Sequence, residues 1–207
     1  MFFRCDASDG GLPRDPFKAC VVPRPIGWIS TLDAQGLRNL APFSFFNAIS
    51  ERPPMVMFCA NGRHVDGGEK DSVRNARQTG EFVVNLATWD LREAVNASSA
   101  EVAHTVDEFE LAKLTPAACV MVRPPRVRES PISLECVVSH IHELPGNAPD
   151  QFGRMVMGRV VGIHIDDSVI EDGRVSIGRL APIARLGYRQ YARLGEIFEM
   201  SRPGTPS

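Results

Sequence analysis

The chain has 207 residues, of which 43% are hydrophobic and 23% are charged, and its formal net charge is -2. These values are typical of globular proteins, and a chain of this length can bury a substantial core without disulfides. The near-neutral balance excludes the strong positive field that nonspecific binding of nucleic acids or anionic membranes requires. No apolar run approaches the ~18 residues of a membrane span, so we expect a cytoplasmic protein.

The first part of the sequence consists of short apolar runs separated by Gly, Pro and Asn, which indicates a β-rich fold. A strand is predicted at Ile26–Leu32, followed by a hairpin turn and a second strand at Arg38–Phe43. Ser44–Ser50 is predicted to be extended. Pro53–Pro54 should separate it from the apolar strand Met55–Ala60, because proline fixes φ and restricts the residue before it.

A glycine-rich loop, Asn61–Glu69, precedes the first helix signal. Asp71 or Ser72 can cap a short helix that runs to Thr79 and is closed by Gly80. A second short helix is predicted over 90–98, and 99–114 is predicted to be irregular. Further strands are predicted at Glu81–Ala87, Val120–Val122, Ser133–Leu144 and Met155–Asp166, with a hairpin around Glu171–Arg174.

The predicted strand Ser133–Leu144 has two different faces. Its apolar face contains Leu134, Cys136 and Val138, and by alternation His140 and His142 extend it. Its polar face contains Ser133, Glu135, Ser139 and Glu143. The two histidines could belong to a zinc site if His164 supplied a third ligand, or they are hydrogen-bonded structural groups or lie at the mouth of a site. We predict no metal site.

The regular spacing of strands without a βαβ rhythm predicts a closed or nearly closed antiparallel β-barrel with short flanking helices. A β-sandwich is the competing architecture. The chain shows no repeat, low-complexity block or linker, so a single domain over residues 1–207 is expected, with a core of about 17–200 and irregular termini.

The sequence contains no GxSxG, HExxH or GxGxxG motif, which argues against the corresponding nucleophile, metal and dinucleotide sites. Gly62–Gly67 resembles the opening of a phosphate loop, but Gly68 stands where the lysine is needed. We interpret this segment as a mobile glycine-rich loop.

Lys70–Asp71–Ser72 lies at the predicted start of the first helix. A helix N-terminus presents unpaired N–H groups and a partial positive charge, so an adjacent lysine makes it a candidate phosphate site. Only three of the 23 basic side chains are lysines, and Lys70 is one of them. The alternative is an ordinary helix cap with a solvated lysine.

The extended segment Ser44–Ser50 is the second candidate for binding. Small and polar residues beside aromatic ones can present backbone N–H and C=O groups to a flat ligand. The same segment could equally be a barrel strand followed by a turn.

Several motifs, in this order, resemble the flavin reductase-like, FMN-binding split-barrel family, and flavoredoxins in particular. These motifs are Pro23–Asp33, Asn39–Ser50, Pro53–Pro54, Lys70–Asp71–Ser72 with Asn75, Gly80–Asn85, Glu129–Cys136 and Gly158–Val161. The resemblance spans roughly residues 17–200. It implies a split β-barrel homodimer that binds FMN near the subunit interface.

The resemblance also implies the site residues. Ser30 and Thr31, together with the strand formed by Phe46, Asn47, Ala48 and Ile49, would line the isoalloxazine ring and ribityl chain, with backbone groups of Asn47–Ile49 as the ring contacts. Lys70, Asp71 and Ser72 would receive the phosphate. Trp28 and His140 could shape the nicotinamide side, or they serve in core packing and in a strand-end hydrogen bond.

We therefore expect an FMN-dependent oxidoreductase in which NAD(P)H reduces bound FMN and electrons pass to free flavin or another acceptor. In this chemistry the flavin carries the hydride, and no catalytic side chain is required. Two alternatives remain open. One is a flavoredoxin-like electron carrier reduced by a partner protein, and the other is a dimeric β-barrel interaction module without a cofactor.

Overall fold

The computed structural model describes residues 2–5, 12–146 and 151–204. Its strands are β1 (Arg24–Pro25), β2 (Gly27–Leu32), β3 (Arg38–Phe43), β4 (Phe46–Glu51), β5 (Pro54–Asn61), β6 (Glu81–Leu86), β7 (Pro116–Ala117), β8 (Arg126–Val127), β9 (Ile132–Leu144), β10 (Gly153–Ile165), β11 (Ile170–Glu171), β12 (Arg174–Val175), β13 (Ile183–Arg185) and β14 (Tyr191–Arg193). Its helices are α1 (Phe17–Cys20), α2 (Asp71–Thr79), α3 (Arg92–Ala97), α4 (Glu108–Leu111) and α5 (Ile177–Leu180). Within the described ranges, no helix is long and apolar enough to cross a membrane.

Seven strands form one antiparallel sheet in the order β3-β2-β6-β9-β10-β5-β4. The two ends of this sheet approach each other, because the ring of Phe43 on β3 lies 5.1 Å from the ring of Phe58 on β5. A second close approach joins β2 to β4, since a Cβ on Gly27 would lie 2.5 Å from the ring of Phe46. The sheet is therefore rolled into a barrel, which confirms the predicted mainly β, antiparallel fold.

Two apolar clusters use opposite faces of β2. The cluster inside the barrel contains Ile29, Phe43, Val56, Phe58, Phe82 and Val156. The cluster outside it, beneath α3 and α4, contains Trp28, Leu40, Val95, Phe109 and Val127. Because neighbouring residues of a strand point to opposite faces, Trp28 and Ile29 enter different clusters. The outer cluster fixes α3 and α4 against β2 and β3.

Short-range sequence signals place α2 correctly at its end but not at its start. Gly80 ends the helix with a φ of 74°, in the left-handed region that favours glycine. The N-cap is Lys70, with extended backbone and no side-chain capping bond. The predicted side-chain cap at Asp71 or Ser72 is wrong, because both residues lie inside the first helical turn.

A β-bulge changes the alternation of β9. Met157 on β10 pairs with His140, whereas Gly158 pairs with Val138, so Ser139 is an extra residue in the ladder. After the bulge, Ile141 packs against the barrel core, and His140 and His142 are exposed. The prediction that the two histidines extend the apolar face is wrong, because one extra residue exchanges the faces of all that follow.

The first half of the predicted polar face of β9 is buried. Ser133 is 0% and Glu135 only 1% exposed. The backbone amides of Val120–Val122 donate to the Glu135 carboxylate over 2.5 to 3.1 Å, and Nε2 of His164 lies 2.5 Å from it. The predicted strand at Val120–Val122 is therefore wrong, because these amides bind a carboxylate and not a neighbouring strand. The prediction that 99–114 is irregular also needs correction, because this segment contains the short helix α4.

Candidate functional site

A cleft opens beside the start of α2. Its lining residues come from β3 (Asn39, Ala41, Pro42, Phe43), the glycine-rich loop (Arg63, His64, Val65), the start of α2 (Lys70, Asp71, Ser72), the segment after α3 (Ser98, Ser99, Ala100, Glu101, Val102) and α4 (Glu108). The fold thus brings the three predicted phosphate residues into one cleft with β3. The loop expected to be only a mobile connection forms part of its wall.

The start of α2 supplies anion donors to this cleft. The first N–H groups of a helix have no acceptor within it, which leaves those of Asp71 and Ser72 for other partners. The side chain of Lys70 is one-third exposed, and its Nζ lies 3.9 Å from a carboxylate oxygen of Glu101. An exposed pair at this separation contributes little, so the ammonium group can engage a ligand.

The carboxylate of Asp71 is engaged by protein groups. It lies 2.6 Å from the Arg74 guanidinium, 2.7 Å from Nδ1 of His104 and 3.2 Å from Nε2 of His64. The two imidazoles stack with ring centroids 4.0 Å apart. The negative charge of Asp71 is therefore compensated locally, and its backbone N–H is the group it can offer to an anion.

Thr31 lies behind the cleft and is fully buried. Its Oγ1 accepts hydrogen bonds from Nδ2 of Asn39 and Nδ2 of Asn75, each at 3.1 Å. The same Nδ2 of Asn39 lies 2.9 Å from Oγ of Ser72, and Oδ1 of Asn75 is buried with no hydrogen-bond partner among the described residues. Thr31 thus connects β3 to α2 through Asn39 and Asn75, and Asn39 in turn holds the hydroxyl of Ser72.

The other predicted residues of β2 are also interior. Oγ of Ser30 donates to the carbonyl of Pro125 over 2.6 Å and is fully buried. Trp28 is fully buried, and its Nε1 donates to Oγ of Ser98 over 2.9 Å. This placement favours the core-packing alternative for Trp28. His140 is exposed on β9, away from the cleft.

The strand β4 lies at one end of the sheet and, within the described part of the chain, pairs only with β5. Phe46 packs over Gly27, while Asn47, Ala48 and Ile49 are exposed. None of these four residues lines the cleft in the single chain. Their role as ring contacts therefore stays a prediction, and it requires a ligand that extends from the cleft or a second chain that covers β4.

Glu108 at the start of α4 is a cleft residue that the sequence reasoning missed. It is 6% exposed, and its Oε2 accepts the N–H of Leu40 over 3.0 Å. Burial raises the pKa of the Glu108 carboxyl to about 7, although the Leu40 hydrogen bond lowers it, and the nearby charges of Asp71 and Asp107 raise it further. The carboxyl group therefore titrates near neutral pH.

This titration predicts an unusual pH dependence of stability. Between the ordinary pKa of 4.5 and the folded value of about 7, the folded chain holds a proton that the unfolded chain has lost, so stability falls as pH rises. We expect Glu108→Gln to remove this dependence and to gain about 2 kcal/mol over the wild type between about pH 5 and pH 8. Urea unfolding at about pH 5 and about pH 8 measures the free energy of unfolding of each variant, and Glu110→Gln, at an exposed position, is the control. Parallel pH profiles of wild type and Glu108→Gln would contradict the assignment.

The remaining missed residues come from distant parts of the chain. The motif Asn39–Ser50 contains the β3 wall, so the sequence carries a signal for it. Arg63 and His64 lie in the glycine-rich loop, whose composition predicts a connection and not a binding wall. No local pattern marked 98–102, which reaches the cleft because Ser98 accepts the hydrogen bond of the buried Trp28.

Two groups of possible metal ligands occur in the described part of the chain, with ligand atoms within 4.8 Å of one another. They are His64, Asp71 and His104, and Cys119, Glu135 and His164. Arg74 contacts two members of the first group, and protein donors already bind Glu135. The zinc alternative built on His140, His142 and His164 is wrong, because His164 pairs near the opposite end of β9.

The donor set of the cleft fits a flavin mononucleotide. A phosphate requires cationic and N–H donors, which Lys70 and the first amides of α2 provide. An extended polar chain and a flat ring require hydrogen-bonding and apolar walls, which Asn39 and the Ala41–Phe43 stretch of β3 provide. The hydroxyl of Ser72, already an acceptor from Asn39, can donate its own hydrogen.

The comparison with known families agrees with this fit. Residues 19–191 match the flavin reductase-like domain. The chain therefore belongs to the flavin reductase-like family of flavoproteins, and its antiparallel barrel is the family's split barrel.

Three similar proteins illustrate the relationship. An uncharacterized protein of Halalkalibacterium halodurans is 37% identical over 183 residues, which cover 88% of this chain and 87% of the relative. The crystal structure of nitrilotriacetate monooxygenase component B from Bacillus cereus is similar with a TM-score of 0.80 and 34% identity, covering 89% and 91% of the two chains. Flavoredoxin of Desulfovibrio vulgaris has a TM-score of 0.75 with 18% identity, covering 89% and 93%, and it supports the fold alone.

Proposed function

We propose that the protein binds FMN and acts as an FMN-dependent oxidoreductase that uses NAD(P)H. The observation that carries the proposal is the cleft at the start of α2, where Lys70 and free helix amides face an apolar strand in a barrel of the flavin reductase-like family. Bound FMN would supply the redox chemistry, accepting a hydride from NAD(P)H and passing electrons to free flavin or another acceptor.

The residues of this chain would bind and orient the cofactor. Lys70, the N–H groups of Asp71 and Ser72, and the Ser72 hydroxyl would hold the phosphate. Asn39 would contact the ribityl chain, and Ala41–Phe43 would lie along it. Asp71 acts as a positioning residue, because its contacts with His64 and His104 join the start of α2 to the glycine-rich loop and to the segment after α3.

We further propose a homodimer in which β4 lies near the interface and its backbone contacts the ring. The unpaired edge of β4 and the exposed Ile49, at 41%, support this arrangement, because such an edge is normally covered. In a dimer of this kind, Asn47–Ile49 could complete a flavin site that the single chain leaves open.

A second candidate function is a flavin-binding electron carrier reduced by a partner protein. The similarity to component B of nitrilotriacetate monooxygenase favours a function with a protein partner, because the name makes that neighbour one component of a larger enzyme. The cofactor-free interaction module is the third alternative, and the polar donors of the cleft argue against it.

The test is an anaerobic titration of the FMN-loaded protein with NADH and with NADPH. We expect loss of the visible absorbance of the oxidised flavin and its return on admission of oxygen. If the bound flavin is reduced only by a partner protein, and not by NADH or NADPH, the protein is the electron carrier and not the NAD(P)H-dependent enzyme. If the chain neither takes up FMN nor gains thermal stability from it, the cofactor-free interaction module is the hypothesis that remains.

A further inference from the structure

A second pocket lies between the outer face of α3 and the β13–β14 hairpin. Its lining residues include Trp89, Arg92, Glu93, Ile183, Tyr191 and Arg193, and we call it the Trp89 pocket. The hairpin is fixed to the barrel, because the N–H of Trp89 donates to the Ala181 carbonyl over 2.9 Å and that of Ile183 donates to Ala87 over 3.0 Å. The C-terminal segment thus forms a defined wall of a concave site.

The surfaces of the Trp89 pocket suit a flat apolar ligand. Trp89 is 37% and Tyr191 42% exposed, so parts of both rings can be contacted from solvent. Ile183 is 6% exposed and belongs to the second apolar cluster. Aromatic rings prefer offset-stacked or edge-to-face partners, which a planar aromatic ligand would supply here.

Two guanidinium groups lie against the same indole. Cζ of Arg92 is 4.2 Å and Cζ of Arg193 is 5.3 Å from the centroid of Trp89. Arg92 is occupied, since it donates to the Trp89 carbonyl over 2.8 Å and lies 3.5 Å from a carboxylate oxygen of Glu93. Across the described ranges, Arg193 has no carboxylate within ion-pair distance. An unpaired guanidinium at an apolar pocket recognises carboxylate or phosphate through its planar set of donors.

We propose that the Trp89 pocket binds a planar aromatic ring that carries a phosphate or carboxylate group. Such a ligand could be the adenosine 2′-phosphate end of NADPH or an aromatic acid that accepts electrons. The pocket contains Arg92, the first residue of α3, and the cleft contains Ser98, which follows its last residue. The six residues of α3 span about 9 Å, so the Trp89 pocket and the cleft are neighbours. One molecule could reach both sites, or two molecules could bind side by side. This proposal does not require that the cleft bind FMN.

The chain itself supplies the probe. Its two tryptophans are Trp28, which is fully buried and bonded to Ser98 of the cleft, and Trp89, which is exposed in the pocket. The part of the tryptophan quenching that depends on Arg193 therefore reports the pocket. The flavin-free full-length protein is titrated with adenosine 2′-monophosphate, with benzoate and with uncharged adenosine. We expect saturable quenching by at least one anion and about tenfold weaker binding of adenosine than of adenosine 2′-monophosphate when the nucleotide is the ligand.

The Arg193→Gln variant should weaken anion binding about tenfold, because it removes one charge-assisted contact. The matched control is Arg189→Gln, which removes the same charge from an exposed position outside the pocket and should change affinity less than about twofold. Quenching by the nucleotide alone identifies a nucleotide site, and quenching by benzoate alone identifies an aromatic-acid site. The proposal would be overturned if neither anion quenches the fluorescence saturably. It would also be overturned if Arg193→Gln and Arg189→Gln bind the anion with equal affinity.

Discussion

Replacing Glu135 with glutamine is expected to destabilise the fold by about 3 kcal/mol, the largest effect of any single polar change considered for this chain. The carboxylate is 1% exposed and accepts the amides of Val120–Val122 as well as His164. A glutamine keeps the shape but turns an NH2 group toward donors, so at least one buried amide loses its acceptor. Thermal unfolding should show a melting temperature lower by roughly 6–12 °C.

The matched control for this prediction is Glu143→Gln on the same strand. Glu143 is exposed and pairs with Arg154 over 3.0 Å, so its replacement should cost less than about 1 kcal/mol. Equal melting temperatures of the two variants would show that the amides of Val120–Val122 do not depend on the buried carboxylate.

The Glu135 effect should also depend on pH. Burial alone would raise the pKa of Glu135, but the amide hydrogen bonds from Val120 and Met121 and the pairing with His164 outweigh it, and the net pKa is lowered. An acid with a lowered folded pKa contributes stability above its unfolded value, and that contribution is lost as pH falls through the folded pKa. The difference between wild type and Glu135→Gln should therefore shrink in acid, the opposite direction to Glu108.

Replacing Lys70 with alanine is expected to weaken FMN binding by about 10- to 100-fold, because it removes one charge-assisted contact worth about 1.5–3 kcal/mol. The stability of the flavin-free chain should change little, since among the described residues the Lys70 side chain pairs only with Glu101, at 3.9 Å. The measurement is fluorescence titration of flavin into the apoprotein. Riboflavin, which lacks the phosphate, should bind the wild type and the variant with nearly equal affinity.

Lys113→Ala is the matched control, because Lys113 is an exposed lysine outside the cleft. It should leave FMN affinity unchanged. If Lys70→Ala binds FMN as tightly as the wild type does, the Lys70 side chain is solvated and other residues hold the phosphate. If Lys70→Ala weakens riboflavin and FMN equally, the lysine shapes the cleft without contacting the phosphate.

Much of the fold is predictable because its signals are local. The turn after β2 follows from Asp33, whose Oδ1 accepts the N–H groups of Gln35 and Leu37, and the end of α2 follows from Gly80. The bulge at Ser139 has no such local signal. It arises from the pairing of β9 with β10, so the alternation that places Leu134 in the core misplaces His140 and His142.

The candidate site was predictable where chemistry and position coincide in one short segment. Lys70 stands directly before a helix, an arrangement that makes it a candidate anion site and that also occurs at ordinary helix starts. Glu108 joins the same cleft only because the outer apolar cluster draws α4 against β3, and Glu135 is buried only because the loop before β8 folds over β9. Contacts of this kind depend on packing between distant segments, which alternation and spacing do not encode.

The most direct test of the account is a crystal structure of the protein with FMN. We predict that the phosphate lies within hydrogen-bond distance of Nζ of Lys70 and of the N–H groups of Asp71 and Ser72. A flavin whose phosphate lies in any other part of the molecule, or a cleft that stays free of flavin at saturating FMN, would contradict it.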